Sequence, residues 1–302
     1  MSASFRSTAA QLSYGIVGLG LMGGSLAKAF RASIVNACGA QGRIFACDRS
    51  AAVLVQAQTE GVIDGGWQPE AVHEMLALCD VVYICLYPQA TRQFLLDNAS
   101  FFKETAIITD IAGVKSIVAD GLSGVFASGA DFIPGHPMAG SEKEGYAHSS
   151  AQIFYGRNYI LMPQPENSPA HIAFLKNLVT EIGFSRIIET SVETHDRKIA
   201  FTSQLCHVIA SALVASAEDC HITEFGGGSY EDLTRIAMIN APLWTELFLE
   251  NRDMLLSQID AFRAELDSLS GYIKSGDAEQ LMNALENVRE RRSAMNRLET
   301  SA

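Results

Sequence analysis

Tyr14-Gly15-Ile16-Val17 runs straight into Gly18-Leu19-Gly20-Leu21-Met22-Gly23, and Leu26, Ala27, Phe30 and Ile34 then recur at helical spacing. A short apolar strand, a G-x-G-x-x-G turn and an amphipathic helix, in that order, leave few folds open. The motif predicts that Gly18 makes the tight turn and Gly20 lets backbone approach a pyrophosphate. It predicts that Gly23 lets helix and strand pack closely. The helix start would offer free N–H groups and a positive dipole end to phosphates. A second strand, Arg43–Cys47, ends in Asp48, where an acid accepts hydrogen bonds from a ribose and repels a 2′-phosphate. Arg49 follows and could meet such a phosphate. Asp48 could equally cap the helix expected over Ala51–Glu60.

The pattern repeats. A helix over Glu70–Ala77 leads to the unbroken apolar run Val81–Leu86, as expected of a strand buried on both faces. Helix Gln89–Asn98 leads to strand Ala106–Asp110, and Ile111–Lys115 forms the loop at its end. Further strands are expected at Asp131–Ile133, Asn158–Met162 and Arg186–Glu189, with a helix over Glu166–Ile182 between the last two. Alternation of this kind implies a doubly wound sheet over residues 1–191. From Val192 the pattern turns all-helical to residue 302: Thr194–Cys220, Tyr230–Ile239, Pro242–Leu269 and Ala278–Leu298. Two domains are consistent with a chain of 302 residues.

Composition excludes several roles. Lys and Arg number 22 against 34 Asp and Glu, a net charge of −12, which argues against nucleic acid as a partner. An anionic substrate would therefore need a locally positive pocket. The six cysteines show no metal-binding or C-x-x-C spacing, so no metal is expected. Cys47, Cys79, Cys85 and Cys206 lie in apolar runs and are expected to be small buried hydrophobes. No apolar run has the ~20 residues of a membrane span, and Met1–Ser13 lacks the build of a secretory signal. A soluble cytoplasmic protein is the expectation.

One loop carries the chemistry. Gly135-His136-Pro137-Met138-Ala139-Gly140-Ser141-Glu142-Lys143-Glu144-Gly145 follows Asp131-Phe132-Ile133, which should put His136 on a loop at a strand's C-terminal end, where open parallel sheets bind ligands. An imidazole with an ordinary pKa near ~6.5 suits a general base, and Pro137 biases His136 toward extended backbone. The same histidine could also sit idle in a solvated loop.

This loop resembles the signature loop of the prephenate dehydrogenases of tyrosine biosynthesis, and the likeness extends from the glycine loop to about residue 250. The resemblance implies a Rossmann-type domain followed by an all-α dimerisation domain, with NAD as cofactor held by Gly18 to Gly23, Asp48 and Arg49. The implied reaction converts prephenate to 4-hydroxyphenylpyruvate, CO2 and NADH, with His136 accepting a hydrogen bond from the substrate's 4-hydroxyl. Arg235, in Thr234-Arg235-Ile236-Ala237, would hold a substrate carboxylate. The family's His-Asp pair falls at His195-Asp196; it and His207 would face the cleft, with His207 nearer the substrate, and Trp244, Gly113 and Ser141 would lie near the substrate too.

Read from the residues alone, Arg235 could instead pair with Asp232 or Glu231. Trp244 could be core, and His195 and His207 could be helix-surface residues roughly three and a third turns apart. The family commonly has a serine where Gly113 stands, bonded to the catalytic imidazole. Its absence leaves that role to water or the nicotinamide amide, because Ser116 lies too far along the chain.

Close alternatives are an arogenate dehydrogenase, with an amine in place of the keto group, and a β-hydroxyacid dehydrogenase using a lysine base. A non-catalytic NAD sensor is disfavoured by His136, Arg235 and Trp244 occurring together. The stripe Leu247, Leu255, Ile259, Phe262, Leu266 and Leu269 is expected to bury itself in a homodimer built through the C-terminal helices. The active site is expected in the cleft between the two domains. No fused mutase or regulatory domain is expected.

Overall fold

The computed structural model describes residues 3–36, 41–122, 124–126 and 129–297. Cys38 and Leu298 lie outside them. The first elements are α1 (Ala3–Ala9), β1 (Ser13–Val17), α2 (Leu21–Phe30), β2 (Arg43–Cys47), α3 (Ala51–Thr59) and β3 (Gly65–Trp67). Next come α4 (Val72–Leu76), β4 (Val81–Ile84), α5 (Pro88–Asn98), β5 (Ile107–Asp110), α6 (Ser116–Ala119) and β6 (Asp131–Phe132).

Strands β1 to β6 form a parallel sheet in the order β3-β2-β1-β4-β5-β6. The order reverses between β1 and β4, which opens a ligand crevice at their C-terminal ends. Alternate side chains of each strand enter opposite cores: Ile16 and Tyr83 join one cluster with Leu26 and Phe30, and Val17, Val82 and Ile84 join another with Met75 and Leu95. Both faces are therefore covered, as the apolar run at Val81–Ile84 requires.

The expected single doubly wound sheet stops at β6. Strands β7 (Gly135–Pro137), β8 (Asn158–Leu161) and β9 (Arg186–Glu189) make a second, three-stranded sheet, with β7 antiparallel to β8 and β8 parallel to β9. His136 pairs with Ile160 in it, so it stands on a short strand rather than on a loop. Pro137 explains the difference, because it holds His136 in the extended conformation that a strand uses. Asp131 braces the crossover between sheets. Its carboxylate accepts from Asn167 Nδ2 at 2.5 Å and from Ser168 N at 2.8 Å, ahead of α7 (Pro169–Glu181).

A continuous helical run follows: α8 (Val192–Ile199), a π-helical turn over Ala200–Gln204, and α9 (Leu205–Ala215). Among the described residues it is long and apolar enough, by length and composition, to cross a membrane. His195, Asp196 and Gln204 within it are buried and hydrogen-bonded to other elements. The wide turn lets Gln204 reach Leu247 O at 2.7 Å, while Asn251 Nδ2 donates to both Gln204 Oε1 and Asp196 O. Those contacts dock α11 (Ala241–Glu250), which follows α10 (Gly228–Thr234).

Compact packing divides the chain into Met1–Asn251 and Arg252–Ala302, so α8 to α11 belong to the same unit as the sheets. The second unit is a helical hairpin of α12 (Arg252–Ser275) and α13 (Ala278–Arg297). Of the stripe expected to be buried by a partner, Leu247 and Leu255 are already buried within the chain. Phe262 and Leu266 are exposed, as are Ile273, Met282, Leu285, Val288 and Met295. Cys47 and Cys79 are buried as expected, Cys85 is half-buried and Cys206 is exposed on α9.

Candidate active site

The glycine loop sits where β1, β2 and β4 end. Gly18 N donates to Cys47 O at 2.8 Å, and its φ of 90° is a turn conformation that a side chain would strain. A Cβ on Gly23 would stand 1.9 Å from Gly18 O, so only glycine lets α2 start this close to the strand. Around the corresponding point on Gly20 nothing lies within 4 Å, which leaves that backbone open to a ligand. Leu19 is buried and its N–H donates to Asp48 Oδ2 at 2.7 Å; Asp48 Oδ1 accepts from Ser50 N at 2.8 Å. Ser50, not Asp48, caps α3, through Val53 N. Asp48 instead ties the glycine loop to the end of β2 and keeps one lone pair on each oxygen for a further donor. Leu21 opens α2, Met22 packs on the core, and Arg49 is exposed beside Asp48. An open Gly20, the start of α2 and an acid at the end of β2 fit a dinucleotide.

Around His136 the structure assembles a network drawn from three segments. Asp110, ending β5, forms a wholly buried ion pair with Lys115, and its carboxylate also accepts from Ala112 N at 2.9 Å and Gly135 N at 3.3 Å. Asp196 Oδ1 accepts from Lys115 N at 2.9 Å, and Oδ2 from Ser116 N at 2.7 Å and Ser116 Oγ at 2.5 Å. His195 Nδ1 lies 2.7 Å from Asp196 Oδ1, and His195 Nε2 lies 2.8 Å from His136 Nδ1. His136 Nε2 makes no hydrogen bond among the described residues.

Burial holds the His136 pKa well below the ordinary value, with His195 and Lys115 pushing the same way. His195 is likewise lowered, first by burial and then by Lys115, against the opposing pull of Asp196. Burial alone would raise Asp196. The hydrogen bonds from His195, Ser116 and the Lys115 backbone outweigh it and keep the carboxyl low. Lys115 itself is lowered by burial, with Asp110 opposing. The result is a neutral imidazole pair anchored on a carboxylate.

A second cluster stands on the same helical run. His207 and Trp244 stack with ring centroids 3.6 Å apart and planes 29° apart, and Trp244 also meets Phe248. His207 Nδ1 donates to Ser203 O at 2.9 Å, and burial, followed by Arg235, lowers its pKa. Arg235 pairs with Glu142 at 3.6 Å, on the loop that follows His136, rather than with Asp232 or Glu231. Two more contacts close this rim: Asn240 Nδ2 donates to Glu144 at 2.8 Å, and Gln89 N, in the first turn of α5, donates to Glu246 at 2.7 Å.

Of the expected substrate residues, Ser141 is exposed, and its hydroxyl accepts from Lys143 N at 3.1 Å within its own loop. Gly113 lies against Leu247. The expectation that water or nicotinamide must orient His136 is replaced by a protein partner, His195. The resemblance places His195-Asp196 at the cleft, but not in contact with His136, because a His-Asp pair at a helix start also looks like a surface pair favoured by the dipole. The available signal was charge in an apolar setting, at Asp110 and Lys115.

Fold and site together define a nucleotide-binding oxidoreductase with a helical segment after its sheets. A family model described as prephenate dehydrogenase, nucleotide-binding domain, matches residues 31–188, and one described as prephenate dehydrogenase, dimerization domain, matches residues 191–287. The chain belongs to the prephenate dehydrogenase family. It is 30% identical to the prephenate dehydrogenase of Bacillus subtilis over 286 residues, covering 93% of this chain and 75% of that protein. The crystal structure of prephenate dehydrogenase from A. aeolicus in complex with hydroxyphenyl propionate and NAD+ superposes with a TM-score of 0.83 at 28% identity, covering 94% and 98% of the two chains. Synechocystis arogenate dehydrogenase superposes with a TM-score of 0.77 at 25% identity, covering 94% and 100%.

Proposed function

We propose that the chain catalyses the NAD-dependent oxidative decarboxylation of prephenate to 4-hydroxyphenylpyruvate. The observation that carries this reading is His136 on β7, its Nδ1 held by His195 in a buried network and its Nε2 without a hydrogen bond among the described residues, with burial lowering its pKa. Gly18 to Gly23 and Asp48 would hold NAD, which would supply the hydride acceptor. His136 Nε2 takes the proton of the 4-hydroxyl as hydride leaves the same carbon. Loss of the ring carboxylate as CO2 then makes the ring aromatic, and the former hydroxyl oxygen, now a phenolate, takes the proton back. No high-energy carbanion needs stabilising, so the protein's work is orientation and a base contribution of roughly 10²–10⁴-fold. Arg235 is the candidate for a substrate carboxylate, exchanging its loose pairing with Glu142 for a bidentate one. His207 and Trp244 border the same place.

Arogenate, with an amine replacing the keto group, is the second reading, supported by the likeness to an arogenate dehydrogenase. A homodimer through the C-terminal helices is part of the proposal, supported by the dimerization-domain match and the exposed apolar stripes of α12 and α13. The deciding experiment follows reduced nicotinamide by absorbance with prephenate or arogenate, each with NAD or NADP. We expect the highest kcat/KM with prephenate and NAD. A higher value with arogenate transfers the assignment to the second substrate, and no turnover of either rejects the reading.

A further inference from the structure

An imidazole has two nitrogens, and a base needs the correct one bare. In this chain Gly113 removes the hydroxyl that the resemblance would have offered for the purpose. We propose that His195 and Asp196 are positioning residues that lock His136 as the Nδ1–H tautomer, so that Nε2 remains an acceptor for the substrate hydroxyl.

The Asp196 carboxylate only accepts, and Lys115 N, Ser116 N and Ser116 Oγ already donate to it at 2.5–2.9 Å. Its remaining partner, His195 Nδ1 at 2.7 Å, must therefore carry a hydrogen. A neutral imidazole protonated at Nδ1 has a lone pair at Nε2. That lone pair faces His136 Nδ1 at 2.8 Å, so the hydrogen between the rings belongs to His136. The opposite tautomer of His136 would set two lone pairs against each other at that distance. It would leave both buried nitrogens unsatisfied, a costly arrangement.

The charged groups facing the pair are Lys115 from the β5–α6 loop, with Asp110 behind it, and Asp196 from α8. Lys115 opposes a second proton on either ring at rest. When Nε2 takes the substrate proton, the His136 Nδ1–H donates more strongly into His195, and the positive charge is shared toward Asp196. The proton count is unchanged, because the same proton returns to the phenolate. The catalytic part of this proposal rests on the reaction proposed above. The tautomer part does not.

The test is 15N spectroscopy of histidine-labelled protein without ligand, at a pH above the imidazole range, with His136 assigned by its loss in His136→Asn. The expected pattern for His136 is a protonated Nδ1 and a bare Nε2. Asp196→Ala removes the acceptor that fixes the hydrogen on His195 Nδ1, so His136 should no longer be held as a single Nδ1–H tautomer. The kcat should then fall, by up to about 10²–10⁴-fold, the whole contribution of the base, with KM little changed. An Nε2–H His136 in the unaltered protein overturns the proposal, and so does a still single Nδ1–H tautomer in a folded Asp196→Ala.

Should that variant fail to fold, the pair His195→Gln and His195→Leu decides. The glutamine oxygen can still accept from His136 Nδ1–H, whereas leucine cannot. A kcat at least about tenfold higher in the glutamine variant supports the role, and equal values reject it. If the labelled protein shows the expected tautomer but turns over neither prephenate nor arogenate, the reaction is wrong and the positioning role stands.

Discussion

Two histidine clusters each draw one member, His195 or His207, from the same helical run, and they are built in opposite ways. His136, His195 and Asp196 form a closed network in which each hydrogen bond measures 2.9 Å or less and His195 and Asp196 are 1% exposed. His207, Trp244 and Arg235 are held by a ring stack, one bond to backbone and an ion pair at 3.6 Å, with the Arg235 side chain 64% exposed. The first arrangement fixes one geometry, as proton transfer requires. The second can exchange partners at little cost, because a long, exposed ion pair is worth less than about 1 kcal/mol. The contrast teaches a division of labour, with a rigid centre for chemistry and an adaptable rim for the substrate's charges.

Breaking the rigid cluster at its end gives the largest effect. His136→Asn is expected to lower kcat by about 10²–10⁴-fold. Dinucleotide affinity, measured by fluorescence titration, should be unchanged, because Gly18 to Gly23 and Asp48 are untouched. Near-normal turnover would remove His136 from the mechanism. The rim should respond in the other parameter. Arg235→Gln is expected to raise KM for prephenate about tenfold or more, the loss of a hydrogen bond to a charged group. Its kcat should stay within a few-fold. A fall in kcat at constant KM would instead put Arg235 with the chemistry and erase the distinction.

Much of the rigid half could not be read in advance. The parallel sheet was legible because each β-turn-α unit is contiguous: Val17, Gly18, Gly23 and Leu26 declare themselves within one short stretch. The second sheet was not, because β7 is three residues long and finds its partner, Ile160, far along the chain. The network was hidden for the same reason. Its members come from Asp110–Ser116, Gly135–His136 and His195–Asp196, and no one stretch shows an acceptor facing a donor. Residue types did point to the rim, since Arg235 and Trp244 stand out in their surroundings, but Glu142 as the arginine's partner required tertiary structure. A change of periodicity at Val192 is a real signal of helices. It does not mark the edge of compact packing, because Asp196 of α8 is bound to Ser116, and the helical run is bound to the α11 segment through Gln204 and Asn251.

Acid should separate the clusters less sharply, since burial lowers all three histidines. In the unfolded chain they take up protons near pH ~6.5, while in the native state they stay neutral to lower pH. Between those limits the unfolded state binds more protons, so stability rises with pH across the window and is lost as pH falls below about 6.5. Urea unfolding at about pH 7.5 and about pH 5.5 should show a lower midpoint at the acid value with the slope unchanged. The drop should be smaller in His195→Gln. For the same reason the acid limb of kcat/KM should lie below 6.5, the ordinary histidine value.

The smallest effect is expected at Gly113, where the resemblance implies a serine bonded to the catalytic imidazole. A Cβ on Gly113 would meet Leu247 Cδ2 at 3.1 Å and Cδ1 at 3.7 Å, the flexible end of a side chain that can yield. Gly113→Ser should therefore fold. With His195 Nε2 already occupying His136 Nδ1, an added hydroxyl has no vacant position there, and kcat should stay within about fivefold, roughly 1 kcal/mol of barrier. The same change in a His195→Leu background meets a vacant Nδ1, and there the serine should recover at least about tenfold of the lost kcat. Recovery only in the second background would make the serine and the His195-Asp196 pair two solutions to one problem, the orientation of a single imidazole. A large rate gain from Gly113→Ser alone would mean that His195 does not hold Nδ1 firmly, and the contrast between rigid centre and adaptable rim would fail at its first member.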